Sequence, residues 1–141
     1  MKKKVILYFT ILAISFISCK QEKKEDAQPT QMEQVMAIHD EVMPKMSTIN
    51  SLIEKLNAKV DTTEIGIKYE KAKADLQAAN KTMMDWMVGF GDRFDTDEIM
   101  KGKALTDEKQ KWLDEEEVKI KELQNQINRS IKNAEALLES K

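Results

Sequence analysis

The sequence predicts an all-α protein: an elongated, coiled-coil-like, up-down-up antiparallel three-helix bundle behind an N-terminal signal peptide. Of the 141 residues 34% are charged and 6% aromatic, with four Gly and two Pro, a composition typical of helical proteins. From about residue 30 onward, apolar side chains recur in alternating steps of four and three, which is the heptad pattern of packed helices. Before that region, three lysines precede an apolar run at residues 5–17, as in secretory signals.

Residues 1–18 are predicted to be a removable signal peptide, because the apolar run is too short to span a membrane. The run ends in Phe16-Ile17-Ser18-Cys19, which resembles a bacterial lipobox and contains the chain's only cysteine. The resemblance implies cleavage before Cys19 and acylation of Cys19, for example with palmitate. It also implies a lipid-anchored lipoprotein of the bacterial cell envelope, expected in the outer membrane, with either membrane face open.

Residues 19–29 are predicted to form the lipidated Cys19 and a flexible tether, because positions 20–29 are polar and show no apolar period. Ten such residues reach at most about 35 Å. Residues 30–141 then form the single helical domain.

The first helix is expected over about residues 30–60. Pro44 lies inside it and should kink it, because proline cannot donate the helical hydrogen bond. Residues 61–63 follow as a turn. The expected buried seam is Val35, His39, Val42, Met46, Ile49, Ile53, Leu56 and Val60.

The second helix is expected over about residues 64–90, ended by Gly89 and Gly91. An acidic, solvated loop over 91–105 should follow, and Thr106 should then cap a third helix over about 106–139. The second seam is Ile65, Tyr69, Ala72, Leu76, Ala79, Met83, Trp86 and Phe90. The third seam carries Glu116 and Ser130 where apolar residues are expected.

Methionines concentrate at one end of the predicted hairpin of the first two helices. If these helices are antiparallel, His39 lies level with Trp86, and the other half of the hairpin uses Ile, Leu, Val and Ala instead. In one interpretation the flexible thioethers fill an irregular core around the tryptophans. The methionines at the methionine-rich end of the hairpin are Met32, Met36, Met43, Met46, Met83, Met84 and Met87.

A second interpretation is a soft-metal site. Met36, His39 and Met43 stand at i, i+3 and i+7 on one helix, and Met87 can add a ligand from the next. Thioethers with one imidazole select Cu(I) or Ag(I), so Cu(I) is the one cofactor that the sequence suggests. In a third interpretation the same end is an interaction surface for an envelope protein, or a pocket for an apolar ligand. The residues assigned to that surface are Met32, Met84, Trp86, Phe90 and Trp112.

Other function classes are disfavoured. No nucleophile–base arrangement is present, so we expect no enzymatic activity, and a net charge of −2 argues against nucleic acid as a partner. Asp61-Thr62-Thr63 resembles a bacterial O-glycosylation acceptor with Thr62 as the modified residue. The regular seams also leave a homodimer with swapped helices open.

Two runs, residues 39–46 (HDEVMPKM) and residues 85–94 (DWMVGFGDRF), together resemble a group of small bacterial lipoproteins. Automated labelling often calls these lipoproteins "viral A-type inclusion protein". The resemblance spans the chain from about Met32 onward. It supports the lipoprotein assignment and implies no catalytic residues to carry over. The sequence is therefore interpreted as an anchored, non-enzymatic binding or scaffold module.

Overall fold

The computed structural model describes residues 28–140, and this part of the chain is all-helical, as predicted. About 83% of these residues are helical and none lies in a strand. The predicted signal peptide, Cys19 and most of the tether lie outside the described residues. No helix within residues 28–140 combines the length and apolar character that crossing a membrane requires. The helices are α1 (Gln31–Val42), α2 (Lys45–Asn57), α3 (Glu64–Arg93), α4 (Thr96–Lys101) and α5 (Asp107–Glu139).

The first predicted helix is two helices. Thr30 begins α1 with a capping box: its hydroxyl accepts from the Glu33 N–H at 3.2 Å, and the Glu33 carboxylate accepts from the Thr30 N–H at 2.7 Å. Since Pro44 has no N–H, the helical ladder is interrupted there, and α2 begins at Lys45. A single helix over 30–60 is therefore wrong: the proline divides the segment, and α2 ends at Asn57.

The second helix is longer than predicted, because Gly89 and Gly91 do not end it. Thr63 caps α3 by accepting from the Gly66 N–H at 3.1 Å, and the helix continues to Arg93. Among the described residues only Gly102 has a positive φ, of 68°. A glycine inside a helix costs about 1 kcal/mol relative to alanine, which a 30-residue helix tolerates.

The predicted acidic loop contains the short helix α4. Asp95 caps it, accepting from the Asp97 and Glu98 N–H groups, while the Glu98 carboxylate accepts from the Asp95 N–H at 2.8 Å. Glu98 is only 4% exposed, so the prediction of a fully solvated loop is wrong. Thr106 caps α5 as expected, accepting from the Lys109 N–H at 3.2 Å.

Most seam residues are buried in the core, but His39, Met46, Ile53 and Val60 of the first seam are only half-buried. The seam residues of α3 from Tyr69 to Phe90 are all buried, but Ile65 is 42% exposed and Gly66 is buried instead. On α5 the polar seam positions Glu116 and Ser130 are buried, as the spacing predicts.

Pairs of contacting side chains give the relative direction of the helices. The amide of Gln31 donates to Glu117 at 2.6 Å and Lys45 donates to Asn128 at 2.8 Å, so residue numbers rise together along α1–α2 and α5. Arg93, the last residue of α3, contacts Glu115 near the start of α5 at 2.7 Å. The start of α1, the end of α3, α4 and the start of α5 therefore meet at one end of the molecule, which we call the α4 end.

Candidate functional site

Four aromatic rings form a row between α1 and the end of α3. The His39 imidazole is stacked on Trp86 with ring centroids 5.8 Å apart, which confirms the predicted level of these two residues. Trp86 stacks on Phe90, and Phe90 contacts Phe94, both at 4.8 Å. Stacked and tilted rings of this kind contribute roughly 0.5–1.5 kcal/mol per pair beyond their burial. Phe94, which the seams did not include, is 3% exposed and extends the row toward α4.

His39 has a carboxylate partner in the next residue of its own helix. Its Nδ1 lies 3.0 Å from the Asp40 carboxylate, although adjacent helical positions point about 100° apart. This contact leaves the imidazole Nε2 without a protein partner among the described residues. Glu116, the buried carboxylate of the α5 seam, is paired with Arg93 and Lys119 instead.

The candidate soft-metal ligands are carried by α1, by its C-terminal cap Met43 and by α3. Met36, Met43 and Met87 are half-buried and pack against the core, and the His39 side chain is 18% exposed. Over residues 28–140 no group of three or more His, Cys, Asp or Glu side chains is arranged to hold a metal ion. A metal at this end would therefore depend on the imidazole Nε2 and thioether sulfurs alone.

The predicted interaction surface is largely interior. Met32, Trp86 and Phe90 are 8% exposed or less, so assigning them to a surface was wrong: they close the core at the α4 end. Trp112 is half-buried, with the Arg93 guanidinium 5.6 Å from its ring centroid. Met84, at 53% exposure, is the only residue of the predicted surface that is largely exposed.

Two exposed apolar side chains were not part of the predicted interaction surface. Val88 is 64% exposed one turn after Met84, and Met100 on α4 is 74% exposed. The spacing of four between Met84 and Val88 is the signal that places both on one face of α3.

A buried carboxylate joins the end of α3 to α5. Glu116 is 3% exposed and accepts from Arg93 at 3.0 Å and from Lys119 at 2.8 Å. Arg93 also contacts Glu115 at 2.7 Å. Two cations thus compensate the buried charge, which otherwise carries a desolvation cost of several kcal/mol.

A second set of ion pairs fixes α4. Lys109 donates to Glu98 at 2.6 Å and Lys103 donates to Asp95 at 2.8 Å. The hydrogen bond from Lys109 lowers the pKa of Glu98 below its ordinary value, and that from Lys103 lowers the pKa of Asp95. The Asp95 carboxylate in turn raises the pKa of Lys103. Both carboxylates are therefore held in their charged form at neutral pH.

An open groove of about 540 Å³ lies between α3 and α5. Trp86, Gly89 and Leu123 line it together with polar and charged side chains. It differs from the Met- and Trp-lined pocket expected for an apolar-ligand carrier, since no methionine lines it. The Trp86 indole N–H is buried and has no hydrogen-bond acceptor among the described residues.

The turn between α2 and α3 exposes the predicted modification site. Thr62 is exposed, while the neighbouring Asp61 carboxylate accepts from the N–H of Thr63 at 2.9 Å and from its hydroxyl. These bonds lower the pKa of Asp61. Thr62 is thus accessible, and its glycosylation stays a prediction.

Comparison of the chain with protein-family models, with curated proteins and with solved structures finds no match in any of the three.

Proposed function

We propose that this protein is a lipid-anchored lipoprotein of the bacterial cell envelope, expected in the outer membrane, which acts as a non-enzymatic binding or scaffold module. In this proposal acylated Cys19 holds residues 30–141 at the membrane as an up-down-up antiparallel three-helix bundle. The α4 end binds another envelope protein, or a second copy of the chain. The resemblance to small bacterial lipoproteins supports this assignment.

The bundle topology is supported by contacts that are far apart in sequence. Gln31 and Lys45 bond residues 83 to 86 positions later on α5. The contacts of His39 with Trp86 and of Arg93 with Glu115 run in the opposite sense along α3. An arrangement of α1–α2 up, α3 down and α5 up satisfies all of these contacts.

The observation that carries the binding proposal is the outward apolar face of α3 at the α4 end. Met84 and Val88 are both more than half exposed and stand one turn apart on the same side of the helix. Single exposed apolar residues are ordinary on a protein surface, but an adjacent pair at the end that also carries Met100 favours a contact surface. Flexible methionine suits contacts that adapt to a partner.

The tether makes this surface membrane-proximal in the proposal. The described chain enters α1 at Gln31, which is part of the α4 end. If Cys19 is acylated, residues 20–29 keep that end within about 35 Å of the bilayer. A partner of Met84 and Val88 would therefore be a membrane protein or a protein held close to the membrane.

The anchor and the surface are tested by separate variants. Cys19→Ser should move the protein from the membrane fraction to the soluble fraction and abolish labelling by palmitate. Val88→Glu should abolish co-purification of a defined envelope complex from crosslinked cells. Ile67→Glu is the matched control, because Ile67 is equally apolar, 61% exposed and on the same helix, but near its other end. An equal loss of co-purification in Val88→Glu and Ile67→Glu would contradict the assignment of partner binding to the α4 end.

A second candidate function is the binding of Cu(I) or Ag(I), favoured by the contact between His39 and Asp40. A carboxylate on one ring nitrogen orients a ligating histidine and leaves the other nitrogen for the metal. The proposed ligands are His39 Nε2 and the sulfurs of Met36, Met43 and Met87. An anaerobic Cu(I) titration should show one tight site that Met43→Leu and His39→Phe weaken. Binding that is unchanged in both variants would refute it.

A further inference from the structure

The groove between α3 and α5 has an apolar floor at one end. Trp86, Gly89 and Leu123 line this part, and Trp86 and Leu123 are themselves core residues. A Cβ placed on Gly89 would meet no atom within 4 Å, so the missing side chain leaves open space in the groove. The groove volume of about 540 Å³ lies within the range of about 300–1,000 Å³ that is typical of small-molecule sites.

Two hydrogen-bond donors without partners line the other end. Gln126 and Arg129 stand one turn apart on α5, and neither makes a hydrogen bond or ion pair with any described residue. Arg129 is six residues beyond Leu123, which is about 9 Å along the helix axis at 1.5 Å per residue. A guanidinium holds a carboxylate with two parallel hydrogen bonds and stays charged at every physiological pH.

The acidic side chains of the groove are mostly neutralised. Asp85 is paired with Lys81 at 2.5 Å, and Glu116 is paired with Arg93 and Lys119. Glu122 alone has no partner, and it is exposed on the rim. The charged groups that remain for a ligand are therefore the Arg129 guanidinium, which lies beside the Gln126 amide, and the solvated Glu122 carboxylate.

We propose that this groove binds a small amphipathic carboxylate, with its apolar body on Trp86, Gly89 and Leu123 and its carboxylate at Gln126 and Arg129. The site is separate from the apolar face of α3 formed by Met84 and Val88, neither of which lines the groove. The proposal therefore stands or falls independently of the partner-binding function.

The probe is 4-phenylbutanoate, titrated into the full chain as isolated from cells, in lipid nanodiscs, with empty nanodiscs as the blank. Labelling with 5-fluorotryptophan gives two ¹⁹F signals, which Trp112→Phe assigns. The Trp86 signal should shift saturably, whereas Trp112, which does not line the groove, should serve as the internal reference. The neutral 4-phenylbutan-1-ol and the cationic 4-phenylbutylamine should each bind at least about tenfold more weakly, since one charged hydrogen bond is worth roughly that factor.

Two pairs of variants test the two ends of the groove. Gly89→Leu should fill the apolar end and weaken binding at least about tenfold, or about 1.4 kcal/mol. Its control is Gly91→Leu, because a Cβ on Gly91 also meets no atom within 4 Å and Gly91 lies outside the groove. Arg129→Gln should remove the preference for the carboxylate over the alcohol, whereas Lys132→Gln, an exposed cation of α5 outside the groove, should leave it unchanged.

Three results would overturn the proposal. The first is a Trp86 signal that does not saturate with any of the three probes. The second is the amine or the alcohol binding as tightly as the carboxylate. The third is Gly89→Leu affecting binding no more than Gly91→Leu. Circular dichroism of each variant shows whether its helices are intact, so that lost binding is not mistaken for lost folding.

Discussion

The imidazole of His39 on α1 lies on the indole of Trp86 on α3, with ring centroids 5.8 Å apart and an angle of 29° between the ring planes. This contact connects α1, the helix that precedes the Pro44 break, to the aromatic row of α3. It makes His39 a packing residue whether or not it also binds a metal.

Replacing the imidazole separates these two roles. His39→Ala should lower the free energy of unfolding by about 1 kcal/mol, the size of one aromatic pair. His39→Phe keeps a stacked ring and should recover most of this loss. Urea unfolding followed by far-UV circular dichroism measures both. A phenylalanine variant as unstable as the alanine variant would show that the stack contributes nothing.

Gly66 should not tolerate a side chain. A Cβ there would lie 1.9 Å from the Asp61 carboxylate and 2.6 Å from its backbone oxygen, and the backbone of a tight turn cannot move away cheaply. Gly66→Ala should therefore lower the thermal unfolding midpoint. Gly91→Ala is the control in open space and should raise stability by about 0.5–1 kcal/mol, because alanine favours a helix interior. A stabilised Gly66→Ala variant would mean that the turn does not pack as described.

The buried Glu116 should be replaceable by an apolar residue. It occupies a seam position of α5, where an ion pair is often no more stabilising than packed hydrocarbon. We expect Glu116→Leu to be neutral or more stable, by as much as about 1–4 kcal/mol. Arg93→Met, which leaves the buried carboxylate with Lys119 alone, should instead be destabilising. Calorimetric unfolding of both variants tests this, and a strongly destabilised Glu116→Leu would contradict it.

Stability should fall in acid because of the ion pairs around α4. The folded-state pKa values of Asp95 and Glu98 are lowered, so the unfolded chain binds more protons near their ordinary values of 3.8 and 4.5. Their contribution is complete above those values and is lost as pH falls through the lowered folded-state values. Glu98→Gln should thus be less stable than the natural protein at pH 7, with a difference that shrinks on acidification. Urea unfolding at a series of pH values gives this difference in free energy of unfolding. A difference that does not change with pH would refute the stabilising role of the Glu98 ion pair.

The helical class and most of the core follow from local sequence, because heptad spacing fixes which side of a helix is buried. The seam of α5, including the polar Glu116 and Ser130, and the Thr106 cap are examples. The missing N–H of Pro44 predicts a kink at this position. It does not predict that the segment divides into two helices, α1 and α2.

The remainder depends on contacts between residues distant in sequence or on competing local signals. Glycine ends helices when it adopts positive φ, and nothing local distinguished Gly89 from Gly102. The Asp95–Glu98 capping box predicts α4. The same acidic residues are also typical of a solvated loop, and the sequence alone favoured the loop. The burial of Met32 and Phe90 depends on how the helices close at the α4 end, which no single helix specifies.

The most direct test of the central claim is photo-crosslinking in living cells with p-benzoylphenylalanine at position 88 or position 67 of the lipidated chain. Both sites are exposed on α3, at 64% and 61%, and they differ in which end of the molecule they occupy. We predict one discrete membrane-associated product at position 88 that is lost when Met84 is changed to Glu, and none at position 67. Equal products at both positions, or none at position 88, would contradict a binding function of the α4 end.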